Sequence, residues 1–289
     1  MRNDRVASRE TASVIPQSAF RIPHSDLPPV LCYHRIGGPL ELGVTRVARS
    51  VFERQMQAVA RAGWRSLRLA EYVAAVSGSQ SAIRNPQSTF LLTFDDGYGS
   101  LADHAYPVLA DLGFSATTFL ITDFVGRHNT WDARYTWRRL EHLGWDTIGA
   151  WAGRGFDFGS HGATHRRLTW LGDDAVTDEL ARSRETLVRR LGEGAGRALA
   201  YPFGAWDGRV ARFAAEAGYE LGFGGVGGDG TPFSIARVPV YAWDVGSVPF
   251  GLRNGAAGAI GRLVAHLANR CSVGTSILRA ISRQPSAVR

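Results

Sequence analysis

Two adjacent carboxylates follow an apolar stretch in the first half of the chain. Asp95, Asp96 and Gly97 come directly after the mostly apolar residues 90–94. Neighbouring carboxylates repel each other, so a pair that shares one cleft needs a cation beside one member and a proton or an arginine beside the other. Taken alone, Asp-Asp-Gly is more often a solvated turn.

Two histidines stand at metal-ligand spacing after a second short stretch, at 155–159. Because His161 and His165 are four residues apart, they lie on one face of a helical turn. Such a pair suits Zn²⁺ or a similar ion, and two unrelated surface histidines are the alternative. With Asp96 the pair supplies two nitrogens and one oxygen, the ligand set of a catalytic zinc site with a position left for water. A bound metal lowers the pKa of that water. Asp95, which is not one of the three ligands, is then free to act as a general base.

A third cluster combines a proline turn with aromatic residues. Its sequence, Tyr-Pro-Phe-Gly-Ala-Trp-Asp at 201–207, follows a short apolar stretch. Alone, it reads as ordinary turn chemistry with core aromatics. All three clusters therefore stand where a predicted strand ends.

Predicted strands alternate with helical patterns from residue 30 onward. This alternation indicates parallel βα units, arranged as a barrel or as an open sheet, in which function usually resides at the carboxyl ends of the strands. A helix is also expected within 133–143, and His104, His128 and His142 are expected on the surface. The expected strands lie at 30–33, 90–94, 116–121, 155–159, 198–201, 219–223 and 236–241.

Composition excludes some chemistry. All 33 basic residues are arginine, so a catalytic, Schiff-base or phosphate-loop lysine is excluded. Residues 1–244 carry 27 arginines and 26 acidic residues, whereas residues 245–289 carry 6 arginines and no acids. A nearly neutral body with a cationic tail argues against a protein whose whole surface binds nucleic acid.

The three clusters, in this order and spacing, resemble the first three motifs of the NodB-like polysaccharide deacetylases, carbohydrate esterase family 4. The similarity extends from about Leu31 to about Tyr241, and Leu-Cys-Tyr-His-Arg-Ile at 31–36 resembles the opening strand of members associated with bacterial exopolysaccharide. The resemblance implies an α/β fold, a distorted, incomplete (β/α) barrel. It also implies metal-dependent removal of N-acetyl, less often O-acetyl, groups from sugars.

The resemblance further implies roles for individual residues. Asp95 is the base. Asp96, His161 and His165 bind one divalent ion, zinc first, with cobalt, nickel or manganese as alternatives. The backbone N–H of Phe203 helps to stabilise the oxyanion. The residues expected to contact the substrate are Tyr201, Pro202, Phe203 and Trp206.

Two positions depart from the common family pattern. Ala200 stands where many members have an arginine that orients the base, and Arg237 is the candidate for that role. The family usually has a late histidine as general acid, but His266 lies on the polar face of a predicted helix, which leaves the acid unassigned. His34 is expected to be a structural residue at a strand end, close to the site.

The sequence thus predicts a metal-dependent hydrolase that removes acetyl groups, most often N-acetyl groups, from a polysaccharide or an amino sugar. One alternative is a related amidohydrolase that acts on a non-sugar amide. Another is a non-catalytic carbohydrate-binding relative. The metal ligands and base argue against a binder, which does not need them, while the unassigned general acid argues for one.

Three parts are expected along the chain: a disordered lead at 1–28, a catalytic domain at 29–250 with a flexible insertion near 77–89, and a basic helix and tail at 251–289. Neither a membrane-spanning stretch nor a signal peptide is visible. This predicts a cytoplasmic location or peripheral membrane contact through the tail, and an extracytoplasmic one if the start is misassigned. The expected partner is the acetylated polysaccharide or amino-sugar substrate, and no nucleic acid.

Overall fold

The computed structural model describes residues 27–39, 44–78, 88–130, 139–229 and 231–246. Three predictions therefore fall wholly or largely outside the described residues: the lead at 1–28, the insertion near 77–89, and the tail at 251–289 with His266.

Within these ranges the chain forms ten strands and seven α-helices. The strands are β1 (Val30–Tyr33), β2 (Arg35–Ile36), β3 (Arg46–Val47), β4 (Arg65–Ser66), β5 (Thr89–Phe94), β6 (Thr117–Leu120), β7 (Asp157–Ser160), β8 (Ala198–Ala200), β9 (Leu221–Phe223) and β10 (Val238–Pro239). The helices are α1 (Arg49–Arg61), α2 (Leu69–Val76), α3 (Ser100–His104), α4 (Tyr106–Asp111), α5 (Trp145–Gly153), α6 (Asp173–Leu191) and α7 (Gly208–Glu216).

The main sheet is parallel throughout and has the order β10-β1-β5-β6-β7-β8-β9, with β4 also paired to β5. Its two edges approach each other near β10, because Ile235 forms a parallel bridge with Phe223 of β9 while β10 itself pairs with β1. The sheet therefore curls into an incomplete barrel with helices outside. This confirms the predicted fold class.

Strand β5 illustrates why these strands are apolar along their whole length. All six of its residues are buried, as expected for a parallel strand covered on both faces. Phe90 and Leu92 pack in the cluster that includes α1 and α4. Leu91, on the opposite face, packs with Phe119 of β6 and Phe223 of β9 inside the barrel.

Helix α2 covers the amino end of this barrel. Tyr72 and Val73 of α2 belong to the interior cluster. The Tyr72 hydroxyl donates to the carbonyl of Pro28, just before β1, at 3.4 Å. Asp157 at the start of β7 accepts the Leu69 N–H at 2.8 Å. The carboxyl ends of the strands thus lie at the opposite end.

One sequence prediction is wrong where it can be compared with the structure. Residues 139–143, the described part of the helix expected at 133–143, are not helical. Instead, isolated antiparallel bridges join His142 to Tyr98 and Glu141 to His128. Among the described residues, no helix combines the length and the apolar character needed to cross a membrane.

Candidate metal centre

The polar residues of interest are gathered where the parallel strands end. Asp95 and Asp96 follow β5, and His161 follows β7. Parallel pairing brings these ends to one edge, with Leu120 of β6 lying between them and accepting the His161 N–H at 2.8 Å. Residues that are more than sixty positions apart in sequence therefore share one buried pocket.

Asp96, His161 and His165 form a compact set of potential metal ligands. The Nε2 atoms of His161 and His165 each lie 3.5 Å from Oδ1 of Asp96, and all three residues are buried. A tetrahedral zinc with bonds of about 2.0–2.1 Å separates its ligand atoms by about 3.3–3.4 Å. The residues present therefore fit a zinc-type ion in both donor chemistry and spacing.

A backbone carbonyl group on the side away from the other ligands fixes the orientation of the His161 ring. Its Nδ1 lies 2.7 Å from the carbonyl oxygen of Ala200 in β8, so Nδ1 carries the proton and Nε2 faces the other ligands. Burial lowers the pKa of His161, although Asp95 and this backbone hydrogen bond oppose the effect. A neutral imidazole is the form that binds metal.

Backbone strain is concentrated at the same place. Among the described non-glycine residues, positive φ angles occur at Asp96 (68°), His165 (58°) and Phe203 (62°). Such conformations cost about 1–3 kcal/mol each and persist only where the surroundings impose them. Two of the three are predicted metal ligands, and the Phe203 ring packs on His165 with centroids 4.6 Å apart.

Glu179 of α6 anchors the loop that carries His161 and His165, and no sequence pattern predicts this role. Its Oε2 accepts the N–H groups of Ala163 at 3.0 Å and Thr164 at 2.9 Å, and its Oε1 accepts the Thr164 hydroxyl. Glu179 is only 2% exposed. A lone glutamate on a helix gives no local sequence signal, because its partners come from another element.

His142 corrects a second prediction, since it is buried and not on the surface. Its Nδ1–H donates to the carbonyl of Asp96 at 2.8 Å, and its ring stacks on Tyr98 at 5.2 Å. Burial lowers the pKa of His142 to about 4. The neutral ring thus supports the strained backbone of Asp96 from outside the pocket.

Asp95 is paired with Arg237, 142 residues away in sequence. Nη1 and Nη2 of Arg237 donate to the two carboxylate oxygens at 2.7 and 2.8 Å, and each side chain is 4% exposed. The Arg237 Nε–H donates to the carbonyl of Gly224 at 3.0 Å, next to the point where the barrel edges approach. Burial alone would raise the pKa of Asp95, but Arg237, with help from His161, holds it well below its usual range. Asp95 is therefore ionised at neutral pH.

Cys32 and His34 at the end of β1 complete the surroundings of Asp95. The Cys32 thiol donates to Oδ2 of Asp95 at 3.5 Å, and ligand atoms of Cys32, His34 and Asp95 all lie within 4.8 Å of one another. Burial lowers the pKa of His34 to about 4. The strand-end position expected for His34 is observed, and a ring nitrogen of His34 lies within 4.8 Å of the carboxylate of the predicted base.

The predicted substrate residues divide into two groups. Tyr201 and Pro202 are buried, and the Tyr201 hydroxyl donates to the carbonyl of Phe233 at 2.9 Å. Their side chains thus support the loop, and substrate contact stays a prediction for both residues. Phe203 and Trp206 are partly exposed, and both stay candidates for substrate contact.

Comparison with known proteins shows similarity to one family. Residues 82–222 match the polysaccharide deacetylase family. A putative polysaccharide deacetylase of Bacillus subtilis, YxkH, is 28% identical over 194 residues, which cover 67% of this chain and 63% of that relative. The match thus spans less than two thirds of the relative's length.

Two solved structures share the fold. The deacetylase PplD of Streptococcus pyogenes, determined in complex with acetate, has a TM-score of 0.65 at 23% identity over 75% of this chain and 93% of its own. IcaB from Ammonifex degensii has a TM-score of 0.63 at 25% identity over 74% of this chain and 92% of its own. Together, the family match over residues 82–222, the similar curated relative and the shared incomplete barrel support a NodB-like polysaccharide deacetylase.

Proposed function

We propose that this protein is a metal-dependent hydrolase that removes acetyl groups, in the first place N-acetyl groups, from a polysaccharide or an amino sugar. The observation that carries the proposal is the buried Asp95–Arg237 pair beside Asp96, His161 and His165. Metal-assisted hydrolysis of an amide by water uses an ionised base beside a Lewis acid, and these residues supply the first and can hold the second.

Asp96, His161 and His165 would hold the metal. Two nitrogens and one oxygen favour zinc, with cobalt, nickel or manganese as alternatives for the test. When bound, the ion lowers the pKa of water and polarises the acetyl carbonyl. The Ala200 carbonyl keeps the His161 ring in the tautomer that this role requires.

Asp95 is the proposed general base. One of its carboxylate oxygens takes a proton from the attacking water, whose oxygen bonds to the carbonyl carbon. The carbon–nitrogen bond then breaks, and the amine nitrogen gains the proton that Asp95 took up. The acetic acid formed loses the second water proton to solvent and leaves as acetate. Arg237 keeps Asp95 ionised and oriented, because it donates to both carboxylate oxygens.

His34 is the proposed route by which the nitrogen gains its proton. Its ring reaches within 4.8 Å of the Asp95 carboxylate, and its lowered pKa, about 4, keeps it neutral at pH 7. A neutral imidazole can take a proton at one ring nitrogen and release another from the second. His34 thus fills the role that the sequence left unassigned, and no residue from the tail is needed.

The loop after β8 completes the proposed site. The Phe203 N–H is proposed to stabilise the oxyanion, a contribution of roughly 3 kcal/mol in comparable reactions. The partly exposed ring of Trp206 is proposed to pack on a sugar face, because the apolar body of an aromatic ring suits such a contact.

Two other functions would use the same pocket. A hydrolase of non-sugar amides would need the same base and ligands, and acetylated oligosaccharides tested beside small acetamides separate it from the proposed enzyme. A carbohydrate-binding relative would not need a buried ionised base, whose burial is costly. The Asp95–Arg237 pair therefore favours catalysis over binding alone.

The direct test of the base is Asp95→Asn, compared with Asp174→Asn on the exposed first turn of α6. Acetate release from N-acetylated oligosaccharides is expected to fall by about 10²–10⁴-fold in the first variant and to stay at the wild-type level in the second. If Asp95→Asn retains full activity on a substrate that the wild type hydrolyses, the assignment of the base is wrong.

A further inference from the structure

The pocket holds a second group of potential ligands that the proposed reaction does not use to bind metal. Sγ of Cys32, a ring nitrogen of His34 and a carboxylate oxygen of Asp95 lie within 4.8 Å of one another. Cys32 is 4% exposed. None of these residues belongs to the set Asp96, His161 and His165, although Asp95 and Asp96 are neighbours in the chain.

His34 supplies an independent observation that points to a ligand. Its Nδ1 is buried and has no hydrogen-bond partner among the described residues. Burying a polar nitrogen without a partner is costly, and a bound cation is one way to remove that cost. The imidazole is also neutral, because burial lowers its pKa to about 4, and only the neutral ring can bind a metal.

We propose that Cys32, His34 and Asp95 form a second cation site, selective for thiophilic divalent ions such as Cd²⁺ or excess Zn²⁺. Sulfur is the ligand that distinguishes this site from the other one, since thiolates favour soft ions. The Cys32 Sγ to Asp95 Oδ2 distance is 3.5 Å. A tetrahedral zinc with one sulfur and one oxygen ligand separates them by about 3.6 Å. On binding, the thiol proton is released to solvent and the sulfur bonds to the ion.

Charge makes this site the weaker of the two. The guanidinium of Arg237 already donates to both oxygens of Asp95, so it repels an added cation and competes for the same carboxylate. Metal is therefore expected to fill the Asp96 site first and the Cys32 site only when it is in excess.

Occupation of the second site should inhibit the enzyme, an expectation that rests on the proposed function. The ion would bind the carboxylate of Asp95, the proposed base, and the ring of His34, the proposed proton carrier. Inhibition by excess metal then depends on Cys32, which has no step of its own in the proposed reaction.

The test uses the full chain and its two cysteines. Cys271→Ser leaves Cys32 as the remaining thiol, and Cys32→Ser leaves Cys271. Each variant, loaded with one equivalent of zinc, is titrated with Cd²⁺ while the ultraviolet thiolate-to-cadmium charge-transfer band is recorded. We expect Cys271→Ser to show the band with one Cd²⁺ per chain, and Cys32→Ser to lack it. Inhibition of acetate release by excess Zn²⁺ should need about tenfold more metal, or more, in Cys32→Ser.

Absence of the band in Cys271→Ser at saturating Cd²⁺ overturns the proposal, and so does a band in Cys32→Ser equal to that of the wild type. Cys271→Ser alone decides the matter if Cys32→Ser does not fold. Because the band is measured without substrate, a protein that binds Cd²⁺ through Cys32 but releases no acetate contradicts the proposed function and not the cation site.

Discussion

Two arginine–aspartate pairs with nearly the same geometry stand at opposite ends of the barrel. At the amino end, Arg68 donates to Asp157 at 2.6 and 2.8 Å, and the side chains are 45% and 18% exposed. At the carboxyl end, Arg237 donates to Asp95 at 2.7 and 2.8 Å, and both side chains are 4% exposed. Burial and not hydrogen-bond geometry distinguishes them.

The difference in burial separates a structural pair from a functional one. An exposed ion pair contributes about 0–1 kcal/mol to stability, because water already solvates both charges. A buried pair costs desolvation energy that apolar side chains of the same volume would not. At the carboxyl end this costly buried pair occurs together with strained φ angles at Asp96 and His165, as expected of a reactive centre.

The largest expected effect is the loss of stability and activity in Arg237→Ala, with Arg68→Ala at the other end of the barrel as its control. Arg237→Ala leaves the Asp95 carboxylate buried without its cation, so its pKa should rise. We expect a loss of about 3–5 kcal/mol in the free energy of unfolding and a fall in acetate release of at least about 100-fold. Arg68→Ala should cost at most about 1 kcal/mol and leave acetate release unchanged. Urea unfolding and an acetate assay measure both quantities.

Equal losses of stability in the two variants would contradict this account of the pairs. So would an Arg237→Ala protein that folds and releases acetate at the wild-type rate.

A smaller effect, on the affinity for zinc, is expected when Glu179 of α6 is replaced. Glu179 is buried and holds the loop between His161 and His165, whereas the Glu185 side chain is 76% exposed. Glu179→Gln weakens the hydrogen bonds that fix the loop, so the affinity for zinc should fall by about 10–100-fold. Glu185→Gln serves as the control, with no change expected. Competition with a zinc indicator dye measures both affinities. Equal zinc affinities of the two variants would show that Glu179 does not position the metal ligands.

The smallest expected effect is a pH dependence of stability. The pKa of buried His142 is lowered from 6.5 to about 4. Between these values the unfolded chain binds a proton that the folded chain does not, so the free energy of unfolding falls as the pH drops below 6.5. In the metal-free protein, His142→Gln should lose about 1–2 kcal/mol less than the wild type between pH 7 and pH 5.

Urea unfolding at the two pH values measures this difference. If the His142→Gln and wild-type proteins lose equal stability on acidification, His142 does not carry the effect.

The parts of the site that the sequence predicts are those encoded within a few residues. The strand before Asp95 and Asp96, and the spacing of His161 and His165, are local patterns, and the parallel fold brings the strand ends together. Only the family resemblance predicts the role of Arg237, because its contact with Asp95 spans 142 residues and leaves no local pattern.

Glu179, His142 and the contacts of His34 and Cys32 could not be predicted in this way. Each depends on which side chains neighbouring elements bring to the pocket, and a single buried residue leaves no periodic signal. The helix expected at 133–143 failed for a related reason. Glu141 and His142 instead form isolated bridges with His128 and Tyr98, and such tertiary pairing overrides local helical preference.

Removal and return of the metal show whether acetate release depends on an ion held by Asp96, His161 and His165. We expect one tightly bound zinc per chain, which is lost in Asp96→Ala. We also expect the chelated wild-type protein to release no acetate from an N-acetylated oligosaccharide until zinc, or an alternative divalent ion, is restored. Undiminished acetate release by the metal-free protein, or a full equivalent of tightly bound zinc in Asp96→Ala, would contradict the assigned metal centre.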